Sequence, residues 1–218
     1  MERISANRID ARRAAESTER GRVKHGAAKL LRVLTVPPVL ALFLVSALWI
    51  GLGSEAFRSA WRYFEAVFAL CLMPLAAYPI CAAVPSLRAR GRKAERSLAI
   101  VFSLLGYIMG TLFALFANGT RVELELYLTY IISGALLGIC SFVFKFRASG
   151  HACGTSGPFA MLCYRFTPLW LLGFLLLIPV FSSSLKLKRH SLAELIAGAA
   201  ISVGSLIIAV LIVRRIMS

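Results

Sequence analysis

Ala152-Cys-Gly-Thr-Ser-Gly-Pro-Phe-Ala-Met-Leu-Cys-Tyr-Arg165-Phe-Thr-Pro168-Leu-Trp-Leu-Leu-Gly-Phe-Leu-Leu-Leu-Ile-Pro-Val-Phe-Ser182 is an apolar run with a charge and a proline at its middle. Read as a single membrane span, it separates its two flanks by the thickness of a bilayer, about 30 Å of hydrocarbon. Read as a hairpin, it returns the chain to the side on which it started. Proline has no N–H to donate and its ring clashes with the preceding turn, so a helix that reaches Arg165 is expected to stop before Pro168. The hairpin is therefore the preferred reading. Each arm would hold about 15 residues, roughly 22 Å of α-helix, which is short for a crossing.

The rest of the chain sets the class. Of 218 residues, 59% are hydrophobic, and the mean hydropathy is +0.77, whereas a soluble domain is about 45–50% apolar. Further apolar runs cover 33–53, 62–85, 97–117, 124–144 and 191–213, most of them near the roughly 20 residues that a spanning helix needs. The expected fold is all-α, a polytopic transmembrane bundle of six to seven spans over 33–218, preceded by a basic cytoplasmic arm over 1–32. That arm suits either an amphipathic surface helix or a solvated tail. The first apolar run lacks a small-residue cleavage site and reads as a retained anchor.

Charge gives the topology. Nineteen of the 25 Lys and Arg fall in four regions, 1–32, 86–96, 145–147 and 186–189. If these share a face, the positive-inside rule puts that face in the cytoplasm. Arg58, Arg62, Arg121, Arg165, Arg214 and Arg215 are then left at the other side, and Arg214-Arg215 runs against the trend. The basic stretches need no nucleic-acid partner, because no aromatic-interleaved basic fold accompanies them. Five cysteines, Cys71, Cys81, Cys140, Cys153 and Cys163, sit in or beside apolar runs without CxxC spacing and read as small packing residues; neither a metal site nor a cofactor is expected. Glu65, just inside the second run, reads as an interfacial carboxylate, and His25 as a solvated residue of the arm.

The flanks of the opening stretch carry the chemistry. Arg147-Ala-Ser-Gly-His151 precedes it, and Ser183-Ser-Leu-Lys-Leu-Lys-Arg-His190-Ser-Leu-Ala-Glu194 follows it. Histidine trades protons near neutral pH, and ionisable residues at membrane borders point to function. His190 and Glu194 are spaced i,i+4 at the start of the last helix, so the carboxylate can hold the imidazole in one tautomer.

Ser149-Gly150-His151 and Ser183-x6-His190-x3-Glu194 resemble the second and third signatures of the type 2 phosphatidic acid phosphatase and haloperoxidase superfamily, Pro-Ser-Gly-His and Ser-Arg-x5-His-x3-Asp. The resemblance runs from about residue 88 to the end and is closest to a divergent membrane branch, with Arg147 before the second signature and Leu185-Lys-Leu-Lys-Arg-His190 opening the third. Three positions depart from the pattern. Ser184 stands where the family has a phosphate-binding arginine, Ala148 where it has proline, and Glu194 where it has aspartate. The first signature, Lys-x6-Arg-Pro, survives at most as Arg92-Lys-Ala-Glu-Arg96-Ser97.

What the resemblance implies is metal-independent hydrolysis of a lipid phosphate or diphosphate. His190 would be the nucleophile that forms a phosphohistidine, His151 the acid and then the base, and Glu194 the orienting carboxylate. A phosphoryl group in its transition state needs cationic clamps. Arg92, Arg96, Arg147, Lys186 and Lys188 are the candidates, with Ser149 and Gly150 offering hydroxyl and N–H donors at a helix start. The substrate expected is phosphatidate, phosphatidylglycerophosphate or an isoprenyl (di)phosphate, met at the cytoplasmic side of the plasma membrane. A degenerate member that binds anionic lipids or scaffolds partner helices is the alternative. A transporter is disfavoured, because the spans carry too few polar residues to line a path.

Overall fold

The computed structural model describes residues 36–217; the arm over 1–32, with His25, lies outside the described residues. The described chain is helical throughout. Six stretches are long and apolar enough to cross a membrane, namely Pro37–Glu55, Ala60–Ala83, Ala94–Phe116, Arg121–Phe142, Pro168–Lys186 and Leu192–Ile216. The protein is a polytopic helical bundle, as its composition requires.

Helix α1 (Pro37–Leu52) starts on a Pro-Pro pair, whose fixed φ suits a first turn. Helices α2 (Ala60–Val67) and α3 (Met73–Ala83) run on through a π-helical segment, Phe68–Leu72. That widened segment lies directly ahead of Pro74, which has no N–H for the regular ladder. The short α4 (Pro85–Ala89) leads to α5 (Arg92–Phe116) and α6 (Arg121–Phe142). Helix α7 (Gly150–Arg165) ends at the Arg165-Phe-Thr-Pro168 break. The chain then returns as a 3-10 segment, Pro168–Leu176, and helix α8 (Leu177–Lys186). Helix α9 (Leu192–Ile216) closes the bundle, packed on α6 and α7.

The stretch 152–182 is thus a hairpin, but its arms are unequal. Helix α7, with 16 residues, is about 24 Å long. Its return arm begins with nine residues of 3-10 helix followed by ten of α-helix, which reach about 33 Å because a 3-10 helix rises about 2 Å per residue. The expectation of two short arms fails for the second, and the stretched backbone is the reason. Phe159 of α7 fills the space over Gly173, where a Cβ would lie 2.0 Å from its ring.

The hairpin sorts the bundle into two ends. At one, Thr120 Oγ1 donates to the carbonyl of Ala56 at 2.6 Å, Arg121 reaches the carbonyl of Met217 at 3.4 Å, and Arg165 pairs with Glu125. Successive helices alternate direction, so the opposite end collects 84–91, 143–149 and 187–191. This second end, called here the histidine end, carries His151 and His190.

At the far end, the first turns of α6 form a polar hub. Val122 through Tyr127 are all buried. Arg62 grips Glu123 with two bonds of 2.9 and 3.2 Å and lies 5.0 Å over the Phe113 ring. Thr120 and Glu123 close a capping box, and the Tyr127 hydroxyl donates to Glu65 at 2.9 Å. Glu65 thus has a hydrogen-bond partner within the bundle. Glu123→Ala would leave the Arg62 guanidinium buried without its counter-charge, a loss of about 3–5 kcal/mol. A lowered thermal midpoint in detergent is the expected result, and an unchanged midpoint would remove this pair from the determinants of the fold.

Candidate functional site

Helix α9 begins with a capping box, and that box also orients a histidine. Ser191 Oγ accepts the Glu194 N–H at 3.3 Å, and Glu194 Oε2 accepts the Ser191 N–H at 2.9 Å. The same carboxylate oxygen lies 3.0 Å from His190 Nδ1. With Nδ1–H directed at a carboxylate, Nε2 carries the free lone pair.

The second histidine arrives from α7. Ser149 caps this helix, its hydroxyl accepting the Ala152 N–H at 3.3 Å. Its own N–H donates to the main-chain carbonyl of Glu194 at 2.8 Å. One backbone hydrogen bond thus ties the start of α7 to the start of α9. Gly198 makes the approach possible, since a Cβ there would lie 2.2 Å from the Ser149 carbonyl oxygen. His151, in the first turn of α7, is half-buried and within electrostatic range of both Arg189 and His190. The first N–H groups of α7 have no carbonyl four residues earlier within the helix, so its start favours an anion.

The candidate residues separate into those the fold gathers and those it leaves apart. His190, Glu194, Ser149, Gly150 and His151 lie around the junction of α7 with α9. Arg147 is exposed and within electrostatic range of Glu194. Lys186 ends α8, and Lys188 follows it with a φ of 48°; both are exposed. Arg92 and Arg96 are exposed on the first turns of α5, which packs on α3 and α6. Among the described residues, no hydrogen bond or ion pair joins those two arginines to the histidines.

Arg189 is the cation that the motif reading passed over. It immediately precedes His190 and lies within electrostatic range of His151. Among the described residues, no group of three or more His, Cys, Asp or Glu is arranged to hold a metal ion.

Beside the first turns of α7 lies a cavity of about 120 Å³. Gly150, Gly154, Tyr107, Tyr130, Ser133 and Ser202 are among its lining, with Leu126, Leu137 and Met161 adding apolar surface. Small side chains on α7 leave this space, and Gly154 lets that helix touch Pro37 of α1, where a Cβ would stand 2.7 Å away. The histidine end itself is basic. Residues 84–96, 143–151 and 186–194 hold ten Lys or Arg against two Glu. The arrangement offers a free imidazole nitrogen, a second imidazole and several cations at the edge of an apolar bundle. Comparison with protein-family models, curated proteins and solved structures gives no match to this chain.

Proposed function

We propose that this protein is a membrane lipid phosphatase, a divergent relative of the type 2 phosphatidic acid phosphatases. It removes a phosphate or diphosphate headgroup at the histidine end, and that end faces the cytoplasm, as the positive-inside rule directs. The observation that carries this reading is the 2.8 Å hydrogen bond from Ser149 N to the Glu194 carbonyl. It joins two motifs that a straight span over 152–182 would hold about 30 Å apart.

The chemistry follows from the atoms. His190 Nε2 attacks phosphorus, an N–P bond forms, and the P–O bond to the leaving alcohol or phosphate breaks. Protonated His151 gives its proton to that leaving oxygen. Neutral His151 then takes a proton from a water molecule whose oxygen attacks phosphorus. The N–P bond breaks, inorganic phosphate departs, and both imidazoles are restored. Glu194 stabilises the positive charge that develops on the His190 ring. The cations of this end draw an anionic headgroup to the interface, and the cavity beside α7 keeps apolar surface next to the site, as a substrate with a hydrocarbon tail requires.

The deciding experiment offers the detergent-solubilised protein a panel of phosphatidate, phosphatidylglycerophosphate and isoprenyl mono- and diphosphates with a chelator present. Release of inorganic phosphate from at least one is expected. No release from any, with anionic lipids still bound, would replace this reading by that of a lipid-binding or scaffolding relative. Gly198→Ala gives a second check. The added methyl meets a backbone carbonyl, so α7 must move off α9, and a misplacement of about 1 Å costs roughly 100-fold in rate. A variant that turns over at the wild-type rate would show that the close crossing of α7 and α9 does not set the catalytic geometry.

A further inference from the structure

The family arginine missing at Ser184 leaves a phosphatase site short of a guanidinium, and the end of α8 shows where one is supplied. Helix α8 closes with a reversal in which the N–H of Arg189 donates to the Ser184 carbonyl at 3.0 Å, and the N–H of Lys188 to that of Leu185 at 3.0 Å. Lys188 takes the left-handed conformation, φ 48°, that such a helix stop requires and that glycine ordinarily provides. Residue 189 is therefore folded back onto residue 184 by a direct main-chain hydrogen bond. The backbones of 184 and 189 are thereby neighbours, although five positions separate them in the chain.

Three further features place it beside the site. Arg189 immediately precedes His190, whose ring is held by Glu194. Ser191 caps α9 two residues later, so the link between the two helix ends is short and pinned on both sides. His151 lies within electrostatic range of Arg189, so both histidines have this guanidinium nearby. Arg189 is exposed and has no carboxylate partner among the ion pairs of the described residues. A guanidinium offers five donors in a planar fork that matches two phosphoryl oxygens at once, which the ammonium groups of Lys186 and Lys188 cannot do.

We infer that Arg189 clamps the phosphoryl oxygens in place of the arginine absent at Ser184, the left-handed turn at Lys188 carrying it to that position. The inference rests on the proposed phosphatase activity and names a residue that binds the reacting group. Arg189→Gln is expected to lower phosphate release about 100-fold, in the range found when one donor to a developing negative charge is removed. Arg189→Lys keeps the charge but loses the fork and is expected to recover only part of the rate. The sharpest arm is the double variant S184R/R189Q, expected to regain at least tenfold over R189Q, because residue 184 is joined to residue 189 by a main-chain hydrogen bond.

A role for Arg189 in folding alone would not yield rescue from position 184. R189Q within threefold of wild type, or a double variant no better than R189Q, overturns the inference. Binding of orthovanadate, followed by calorimetry on the intact detergent-solubilised protein, separates this inference from the phosphatase reading itself. If no lipid is hydrolysed but vanadate binds to wild type and at least tenfold more weakly to R189Q, the clamp stands without the activity. If vanadate binds equally to both, or to neither, the clamp is refuted.

Discussion

His190→Ala is expected to abolish release of inorganic phosphate, by about 10⁴-fold or more, while leaving the bundle folded. Residues that act as one covalent unit lose nearly the whole catalytic gain when the nucleophile goes. The fold should survive because the imidazole lies on the link between α8 and α9, and the capping box of Ser191 with Glu194 does not depend on it. Its thermal midpoint should therefore stay close to that of wild type, as for substitutions outside the core. A second measurement isolates the chemistry. Rapid acid-free quenching with a phosphorus-labelled diphosphate should capture an acid-labile adduct on wild type and none on His190→Ala. His151→Ala should accumulate that adduct, because the lipid monophosphate displaced from a diphosphate leaves without much help from an acid whereas the attacking water still needs a base. Label retained on His190→Ala would assign the nucleophile elsewhere and end this mechanism.

The hairpin that this chemistry depends on was legible in four residues. Arg165, Phe166, Thr167 and Pro168 combine a charge that is costly at mid-bilayer with a residue that cannot continue a helix, and both point the same way. What they did not reveal was the length of the return arm. A nine-residue 3-10 segment is uncommon, and a run of Leu, Phe and Trp has no periodicity that separates 3-10 from α geometry. The far-end hub was hidden for a different reason. Glu123 and Glu125 look like ordinary acids near the start of a helix, and only the arrival of Arg62 from α2 and Arg165 from α7 makes them buried partners.

The site divides in the same way. His190 and Glu194 were readable because i,i+4 spacing survives any tertiary arrangement, and the structure gives that pair a 3.0 Å contact. The clamps were not readable, since positive charge at a membrane border serves topology as well as binding. Arg92 and Arg96, matched by position to a first signature, remain on exposed turns of α5. Arg189 was masked by its place in a basic run, and its relation to Ser184 exists only because Lys188 turns left-handed.

Glu194→Gln is the substitution that separates structure from catalysis at this junction, with an expected loss of about 10³-fold, short of the roughly 10⁴-fold that follows where neutralising the carboxylate behind a catalytic histidine also leaves the wrong tautomer. Glutamine keeps the length of the side chain and an acceptor oxygen, so it can still take the Ser191 N–H and keep the cap. The main-chain carbonyl that receives the Ser149 N–H at 2.8 Å is untouched, and the two motifs stay joined. What is lost is the negative charge beside Nδ1. Because one oxygen, Oε2, serves both Ser191 N–H and His190 Nδ1, the amide oxygen that keeps the cap can still accept Nδ1–H but carries no full charge to balance the ring as it becomes cationic. Glu194→Asp makes the complementary test. It restores the charge and the residue of the family pattern, but it shortens a side chain that now spans both Ser191 N–H and His190 Nδ1. Its activity should lie between those of wild type and Glu194→Gln, with a thermal midpoint that falls if the shorter carboxylate gives up the cap to keep the ring. Equal activity of all three forms would show that the capping box alone requires Glu194, and that its contact with His190 carries no catalytic weight.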